Sequence, residues 1–494
     1  GVEGMVKLSI LLSLLLLSLP LSAQEATTLF EERSVVYTGG EYENETFGYR
    51  LLKPETIEEG KHYPLVLFLH GAGERGDDNN AQLKHFPEHF KDPEYRKKFP
   101  CFLIAPQCRR DRRWSNFYWD GNVEPPADSL SDQMKAALLA FDQTLAEFPI
   151  DRSRLYLTGL SMGGYGSLEL SMNRPDWFAG MAPICGAGDL TTAHRVASVP
   201  TWIYHGDADY DVPVHHGQQF VNALHRAGGL PRYTEIPGHG HDSWVPAYKK
   251  EGVLNWLFQQ RLPKMSGRAL SGFTALTSAH SPLRKGERIV FLGDSLTAAG
   301  TGPKGYITML EEELYRKRPD LDVHLIGAGI GGHKVPDIQA RLERDVLSFR
   351  PTCVFVFIGV NDVWHMEMGA GTSKQDYSRG LHDVLSRIHN AGAVPILATP
   401  PVVGEKRNGE NPLDAMLDEY AQLSRDAGGR MGATLCDLRH TMPAYLSVFN
   451  EDNAEKGILT TDRVHYNESG NRFVANHAAM AIYEALSKRN RVGE

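Results

Sequence analysis

Continuous apolar runs of four to seven residues recur along the first half of the chain, and stretches with helical periodicity separate them. Runs that are apolar throughout, and do not alternate, are typical of parallel strands covered by helices on both faces. They predict strands at residues 64–70, 102–106, 155–158, 181–184 and 201–205, and helices at 130–148, 162–173 and 245–260. The pattern predicts an α/β fold with a doubly wound sheet, whose functional side chains collect beyond the carboxyl ends of the strands.

The same alternation starts again near residue 288. It predicts strands at 288–292, 323–326, 353–358, 394–398 and 433–436, and helices at 306–318, 336–349, 377–390, 412–427 and 468–487. Between the two halves, residues 263–284 are rich in Ser, Thr, Ala and Gly and show no sustained period, which predicts a linker. We therefore expect one domain over residues 24–262 and a second over 285–494.

Residues 1–23 are identified as a signal peptide with upstream residues. Lys7 precedes the leucine-rich run 8–19, which is too short to span a bilayer comfortably. Gln24 and Glu25 follow the leader in place of a basic stop signal. We expect a secreted or periplasmic protein without stable membrane insertion after cleavage. The alternative is a membrane anchor that is retained after export.

Composition excludes some classes of partner. The 494 residues carry a net charge of -9, which argues against a nucleic-acid partner. The five cysteines show no metal-ligand spacing, so we expect no metal and no cofactor. Cys101 and Cys108 flank a predicted strand, and seven extended residues span about 23 Å, well beyond the reach of a disulfide. These two cysteines are not expected to pair, and the other three are predicted to be core residues.

The first candidate for chemistry is the string Gly-Leu-Ser-Met-Gly at residues 159–163, between a predicted strand and a predicted helix. A chain that reverses sharply at Ser161 exposes its hydroxyl, and side chains at the flanking glycines would collide with neighbouring backbone. The helix that follows directs free N–H groups toward negative charge. The glycine-rich turn 70–73 follows an earlier strand, and we expect the backbone N–H groups of Ala72 and Met162 to bind an oxyanion.

A serine nucleophile needs a histidine base and a carboxylate that orients it. Asp207, Asp209 and Asp211 follow the strand 201–205, and any of them can take the second role. The loop 238–244 supplies His241. A zinc site is the alternative for this loop, with His239, His241, His215 and His216 as ligands, although their spacing is not that of known zinc sites.

These strings resemble the α/β-hydrolase superfamily in its phospholipase/carboxylesterase and exported polysaccharide-esterase branches. The segments that carry the resemblance are residues 69–78, 105–108, 159–164, 205–209 and 240–244. It covers residues 41–261 and implies Ser161, Asp209 and His241 as the catalytic triad. Asp211 departs from the family pattern, because a small apolar residue is usual there.

Four segments of the second half follow separate predicted strands or precede the last helix, at residues 293–297, 329–333, 359–362 and 462–465. Ser295 stands at a helix start, and His465 can act as its base. Asp462 lies three residues before His465, on the same face if the segment forms a helical turn. The N–H groups of Ser295 and Gly332 and the amide of Asn361 are candidate oxyanion donors.

These segments resemble the GDSL or SGNH hydrolase family over residues 285–488, which implies a flavodoxin-like three-layer sandwich. The family blocks match Ser295, Gly332, Asn361 and the pair Asp462 and His465. Two positions depart from the common pattern: Gly327 replaces an asparagine, and Arg463 replaces a glycine.

Together the two halves predict an exported serine esterase with one site per domain, acting on acetyl and feruloyl decorations of polysaccharides or on small esters. Trp114 and Trp119 lie in an aromatic loop and either line the first site or pack in the core. The alternatives are a peptidase or a general lipase/carboxylesterase in the first domain, or one domain that is a non-catalytic glycan-docking module.

Overall fold

The computed structural model describes residues 26–117 and 129–493, which form two sheets flanked by helices. The strands of the first domain are β1 (Glu31–Gly39), β2 (Tyr42–Leu52), β3 (Tyr63–Leu69), β4 (Phe102–Pro106), β5 (Ile150–Leu160), β6 (Gly180–Ile184), β7 (Trp202–Gly206) and β8 (Arg232–Ile236). Its helices are α1 (Ala26–Leu29), α2 (Pro93–Lys98), α3 (Asp132–Glu147), α4 (Met162–Asn173), α5 (His215–Arg226), α6 (Trp244–Ala247) and α7 (Val253–Leu257).

The first sheet has the strand order β1-β2-β4-β3-β5-β6-β7-β8. β2 pairs antiparallel with β1 and β4, whereas β4, β3 and all later strands run parallel. Every residue of β3 is buried, which explains its unbroken apolar run. The five predicted strands are β3 to β7, and they bring the candidate segments to one edge of the sheet. The hairpin of β1 and β2 was not predicted, because most of β1 is exposed and carries no such run.

The second domain contains the strands β9 (Arg288–Gly293), β10 (His324–Gly329), β11 (Cys353–Phe357), β12 (Val394–Ala398) and β13 (Thr434–Cys436). Its helices are α8 (Ser271–Leu276), α9 (Ser295–Gly300), α10 (Tyr306–Lys317), α11 (Val335–Asp345), α12 (Val360–Trp364), α13 (Lys374–Asn390), α14 (Asp414–Arg430), α15 (Leu438–Phe449) and α16 (Glu468–Val492). The order β10-β9-β11-β12-β13 is parallel throughout. This is the flavodoxin-like order, as predicted.

Two segments differ from their predictions. The helix predicted at residues 245–260 is interrupted at Gly252, whose ψ of −146° lies outside the helical region. The segment predicted as a linker contains α8, and its Leu270, Phe273 and Leu276 are buried in the core of the second domain. A six-residue helix is too short to show a period in the sequence.

The two domains are joined by direct contacts as well as by the chain. The indole Nε1 of Trp177 donates to the carbonyl of Ala444 at 2.9 Å. Asp176 and His477 form a buried pair across the boundary, at 2.8 Å. Both contacts join residues of the first domain to residues of the second.

The remaining predictions concern cysteines and the leader. All five cysteines lie within the described residues, are buried and are unbonded, as predicted for Cys101 and Cys108. The signal-peptide assignment falls on residues outside the described part of the chain. Over the part that is described, no helix combines the length and apolar character needed to cross a bilayer.

Candidate active sites

Ser161 lies at a sharp reversal of the chain between β5 and α4, with φ of 53° and ψ of −116°. A Cβ at Gly159 would overlap the carbonyl of Gly163, and one at Gly163 would overlap the carbonyl of Leu69. The turn therefore needs glycine on both sides of the serine for steric reasons, as the sequence predicts. The strained backbone persists because packing on the end of β3 fixes it.

A hydrogen-bonded chain links Ser161 to a carboxylate. The Oγ of Ser161 lies 2.7 Å from Nε2 of His241, and Nδ1 of His241 lies 2.8 Å from Oδ2 of Asp209. The side chain of Asp209 is fully buried, and its Oδ1 accepts the backbone N–H groups of Asp211 and Val212. Of the three aspartates considered, Asp209 is the one that contacts His241. The side chain of Asp211 is exposed, and this residue contributes its backbone.

A fully buried histidine, His205, lies beside this carboxylate, and the sequence pattern alone does not single it out. Nε2 of His205 lies 2.7 Å from the carbonyl of Val212 and 3.6 Å from Oδ2 of Asp209. Burial lowers the pKa of His205, so the ring is neutral and donates its Nε2–H to Val212. Its position at the end of β7, in the string that contains Asp209, is the signal that would have found it.

The predicted oxyanion turn is held by His70. The Nδ1–H of this ring donates to the carbonyl of Gly71 at 2.6 Å, and its Nε2 accepts the N–H of Cys108 at 2.9 Å. Burial lowers the pKa of His70 to about 4, which keeps the ring neutral and both bonds in place. Ala72 and Met162 each begin a helix, so their N–H groups lack a partner within that helix.

The second site is built on a different geometry. Ser295 is the first residue of α9, and its Oγ lies 2.9 Å from Nε2 of His465. Nδ1 of His465 lies 2.7 Å from Oδ2 of Asp462. The predicted helical turn between Asp462 and His465 is wrong. The segment is a bend, closed because Oδ1 of Asp462 accepts the backbone N–H groups of Val464 and His465.

The expected oxyanion donors of this site lie on two neighbouring loops. Gly332 follows β10 with φ of +78°, in the left-handed region that favours glycine. A Cβ at Gly331 would lie 3.9 Å from Cβ of Ser295, which places this loop over the serine. Nδ2 of Asn361 donates one hydrogen to the carbonyl of His333 at 3.1 Å. An amide carries two hydrogens, so Asn361 retains one for a ligand.

Buried carboxylates flank the second serine. Oδ1 of Asp294 accepts the N–H of Leu296 at 2.9 Å and so caps α9, while Oδ1 of Asp362 accepts the N–H of Val335. Burial raises the pKa of Asp294 to about 7 and that of Asp362 to about 6. For Asp462, burial is outweighed by the hydrogen bonds from His465 and its neighbours, and the pKa is lowered.

The two departures from the family pattern have local explanations. Arg463 has a φ of +84°, a conformation in which glycine carries no steric cost. Its guanidinium pairs with Glu455 at 3.5 Å, and its carbonyl accepts the N–H of Gly404. At Gly327 on β10, which is exposed, a Cβ would meet the γ-methyl of the exposed Thr301, so a larger residue there requires that side chain to move.

The assignment of Trp114 as a substrate-binding residue is wrong. Its side chain is completely buried, packs on the ring of His70 and donates its Nε1–H to the carbonyl of His70 at 3.0 Å. Trp114 therefore supports the oxyanion turn from within the core and cannot stack on a sugar. Trp119 lies outside the described residues.

Within the described residues, one group of side chains has the spacing of metal ligands. Cys185, Asp209 and His241 place their ligand atoms within 4.8 Å of one another. Two of the three are already bonded to each other in the triad. The histidines considered as zinc ligands do not converge: His215 packs against His216, and His239 bonds to Asp242.

Two tryptophans beside the histidines were not predicted. The ring of Trp244 lies 5.5 Å from that of His241, and the ring of Trp364 lies 6.4 Å from that of His465. The signal was present in the sequence, since Trp244 follows His241 by three residues and Trp364 follows Asn361 by three.

Comparison with known proteins assigns each half to a family. Residues 55–250 match the model of the phospholipase/carboxylesterase family, and residues 291–473 match that of the GDSL-like lipase/acylhydrolase family. An acetylxylan esterase of Geobacillus stearothermophilus is 26% identical over 211 residues, which are 38% of this chain and 91% of that protein.

Solved structures similar to the chain include two esterases. A thermostable esterase is 34% identical, with a TM-score of 0.44, and the match covers 47% of this chain and 64% of that one. An acetyl xylan esterase is 40% identical, with a TM-score of 0.38, over 39% of this chain and 97% of the other. The first domain matches the phospholipase/carboxylesterase family and the second the GDSL-like lipase/acylhydrolase family, and the chain is a carboxylic ester hydrolase.

Proposed function

We propose that the protein is an exported esterase with two active sites, which removes acetyl groups from polysaccharides. Feruloyl groups are the second candidate substrate. The observation that carries this proposal is the matched geometry of the two triads. The serine–histidine distances are 2.7 and 2.9 Å, and the histidine–aspartate distances are 2.8 and 2.7 Å. All four distances lie within hydrogen-bond range. Each histidine can therefore take the proton of its serine while the aspartate orients the ring.

In the first site, Oγ of Ser161 attacks the acyl carbon while Nε2 of His241 takes the hydroxyl proton. Asp209 keeps the other ring nitrogen protonated and stabilises the imidazolium. The N–H groups of Ala72 and Met162 bind the oxyanion, each contributing about 3 kcal/mol to the transition state. His241 then gives its proton to the departing sugar oxygen, which leaves as a hydroxyl, and a water molecule that His241 deprotonates attacks the acyl carbon and releases the acid from Ser161.

The second site follows the same steps with Ser295, His465 and Asp462. Its oxyanion donors are the N–H groups of Ser295 and Gly332 and the amide of Asn361. Three donors replace two, and the nucleophile sits at a helix start that lowers the cost of developing negative charge.

Similarity to an acetylxylan esterase supports a polysaccharide substrate. Two tethered sites suit a polymer with more than one ester, because the tether raises the local concentration of the second activity. The proposed division is a signal peptide within residues 1–23, domains at 24–262 and 285–494, and a packed connection between them. Export is tested by expressing the full chain and a variant that lacks residues 1–23. The full chain should appear outside the cells, and the shortened variant should stay inside.

The test of the two sites uses Ser161→Ala, Ser295→Ala and the double variant, with p-nitrophenyl acetate and acetylated xylan as substrates. Each single variant should retain the activity of the other site, and the double variant should lose at least about 1,000-fold. Full activity in the double variant would show that both assignments are wrong. If one single variant removes all acetate release, the other domain does not hydrolyse acetyl esters.

A further inference from the structure

In both sites a tryptophan ring lies beside the proposed base. In the first site, the ring of Trp244 lies between those of His241 and His85, at centroid distances of 5.5 and 5.0 Å. In the second, the ring of Trp364 lies between those of His465 and His365, at 6.4 and 6.1 Å.

The two tryptophans occupy unrelated positions in the folds. Trp244 starts α6, directly after the loop of the catalytic histidine, whereas Trp364 ends α12, which carries Asn361. Two different folds have therefore placed the same residue type beside the proposed base. Because the two folds differ, chain geometry does not explain why both have a tryptophan at this place. A ligand of the same type in both sites does explain it.

Both tryptophans are half-buried, unlike the buried Trp114, Trp177 and Trp202. A partly exposed indole beside a reacting group offers an apolar surface to a ligand. In the first site, a polar group lies close to this surface. Oε1 of Glu74 lies 3.3 Å from Nε2 of His85, and its Oε2 is buried with no hydrogen-bond partner among the described residues.

The chemistry of the reaction says which part of a substrate meets these rings. The histidine protonates the departing alcohol, and in a sugar ester that alcohol is the sugar itself. The group next to the histidine is therefore the pyranose ring and not the acyl group. The C–H faces of a pyranose are apolar and match the negative face of an indole, while its hydroxyls need polar partners.

We propose that Trp244 and Trp364 are the sugar-binding surfaces of the two sites, each stacking on the pyranose ring that carries the ester. In the first site, His85 beside Trp244 is the polar partner of a sugar hydroxyl, and Glu74 orients its ring. This inference rests on the proposed function and names the part of the substrate that each site recognises.

The test measures each site alone, with Trp244→Leu in the Ser295→Ala background and Trp364→Leu in the Ser161→Ala background. Acetate release is followed from acetylated xylo-oligosaccharides and from ethyl acetate, whose leaving group has no ring. A stacking contact of about 1.4 kcal/mol predicts that the ratio of kcat/KM for the sugar ester to that for ethyl acetate falls about 10-fold. The change should lie in KM, and Trp244→Phe should restore part of it.

Trp256→Leu and Tyr315→Leu are the matched controls. Trp256 is half-buried against Trp202 in the first domain, and Tyr315 is exposed on α10 in the second. Among the described residues, neither shares a ring contact or a side-chain hydrogen bond with a residue of the two sites, so neither should change the ratio.

Two results separate the failure of this inference from that of the proposed function. If the parent variants hydrolyse the sugar ester but the leucine variants lower kcat equally for both substrates, the tryptophans only position the histidines and the stacking role is overturned. If a parent variant hydrolyses ethyl acetate and releases nothing from the sugar ester, the proposed substrate of that site is wrong, and its stacking role falls with it.

Discussion

The two sites hold nearly the same three-residue geometry by different means. In the first, the serine is strained at φ of 53°, and its acid, Asp209, reaches His241 from the end of another strand, 32 residues away in the chain. In the second, Ser295 begins a helix in an ordinary conformation, and Asp462 and His465 are three residues apart. Tertiary packing therefore assembles the first triad, whereas local chain geometry assembles much of the second.

The environments of the two acids differ accordingly. The side chain of Asp209 is 0% exposed and that of Asp462 is 51% exposed. Water can replace a lost contact at Asp462 but not at Asp209.

The largest expected difference is between Asp209→Asn and Asp462→Asn, each measured in the variant that lacks the other serine. An amide at position 209 favours the wrong tautomer of His241 in a dry site, and kcat should fall about 10,000-fold. At position 462, solvent can still orient His465, and the loss should be about 100-fold. Steady-state hydrolysis of p-nitrophenyl acetate measures both, with Asp211→Asn as an exposed control that should stay within about 2-fold. Equal losses at the two positions would contradict the contrast.

Gly163 in the first site and Gly332 in the second differ in the space around them. Gly163→Ala forces a Cβ into the carbonyl of Leu69, and the first domain should lose several kcal/mol of unfolding free energy or fail to fold. At Gly332 there is open space, so Gly332→Ala should cost only about 1 kcal/mol, from its positive φ. Urea unfolding followed by circular dichroism distinguishes the two. A Gly163→Ala protein as stable as the Gly332→Ala protein would show that the elbow is not crowded.

Asp294, which precedes Ser295, should make stability depend on pH. Its pKa is raised to about 7 by burial, so the folded state holds the proton more tightly than the unfolded state. The stability that the protonated Asp294 contributes is fully present below the ordinary carboxyl pKa. It is lost as the pH rises from about 4 to about 7. Asp294→Asn retains an acceptor for the N–H of Leu296 and does not titrate, so its stability should not fall over this pH range. Its unfolding free energy should match the wild type at pH 4 and exceed it at pH 8 by on the order of 4 kcal/mol. A constant difference across this range would mean that Asp294 stays ionised.

The smallest effect is expected at Arg463. Arg463→Gly relieves a left-handed backbone and removes a half-exposed pair with Glu455, which contributes little. The unfolding free energy should rise by up to about 1 kcal/mol, as measured by thermal unfolding. Glu455→Gln tests the pair alone and should change stability by less than about 0.5 kcal/mol. A loss of stability in Arg463→Gly would mean that the ion pair matters more than the strain.

Much of the first site was predictable, because the elbow depends on steric rules that act within a few residues. The apolar runs also placed β3 to β7 and the second sheet, since strands buried on both faces need no partner to reveal their pattern. The choice among Asp207, Asp209 and Asp211 was not predictable from the residues alone. It depends on which carboxylate the end of β7 directs at a loop some 30 residues further on.

The tryptophans show the same limit. Trp114 and Trp244 are the same residue type in similarly polar strings, yet one is buried under the oxyanion turn and the other borders His241. Burial is a property of the packed chain, and a periodic pattern is needed to predict it from sequence. Neither loop has one.

The sequence by itself determined two α/β domains, two serines at helix starts and the residue types of both triads, because periodicity and local steric limits are written in consecutive residues. Only the tertiary structure decided which aspartate meets His241, which tryptophans border the histidines and that the connecting segment is packed. These three features depend on contacts between residues that are far apart in the chain. The free energy of such contacts is set by burial and not by neighbours in sequence.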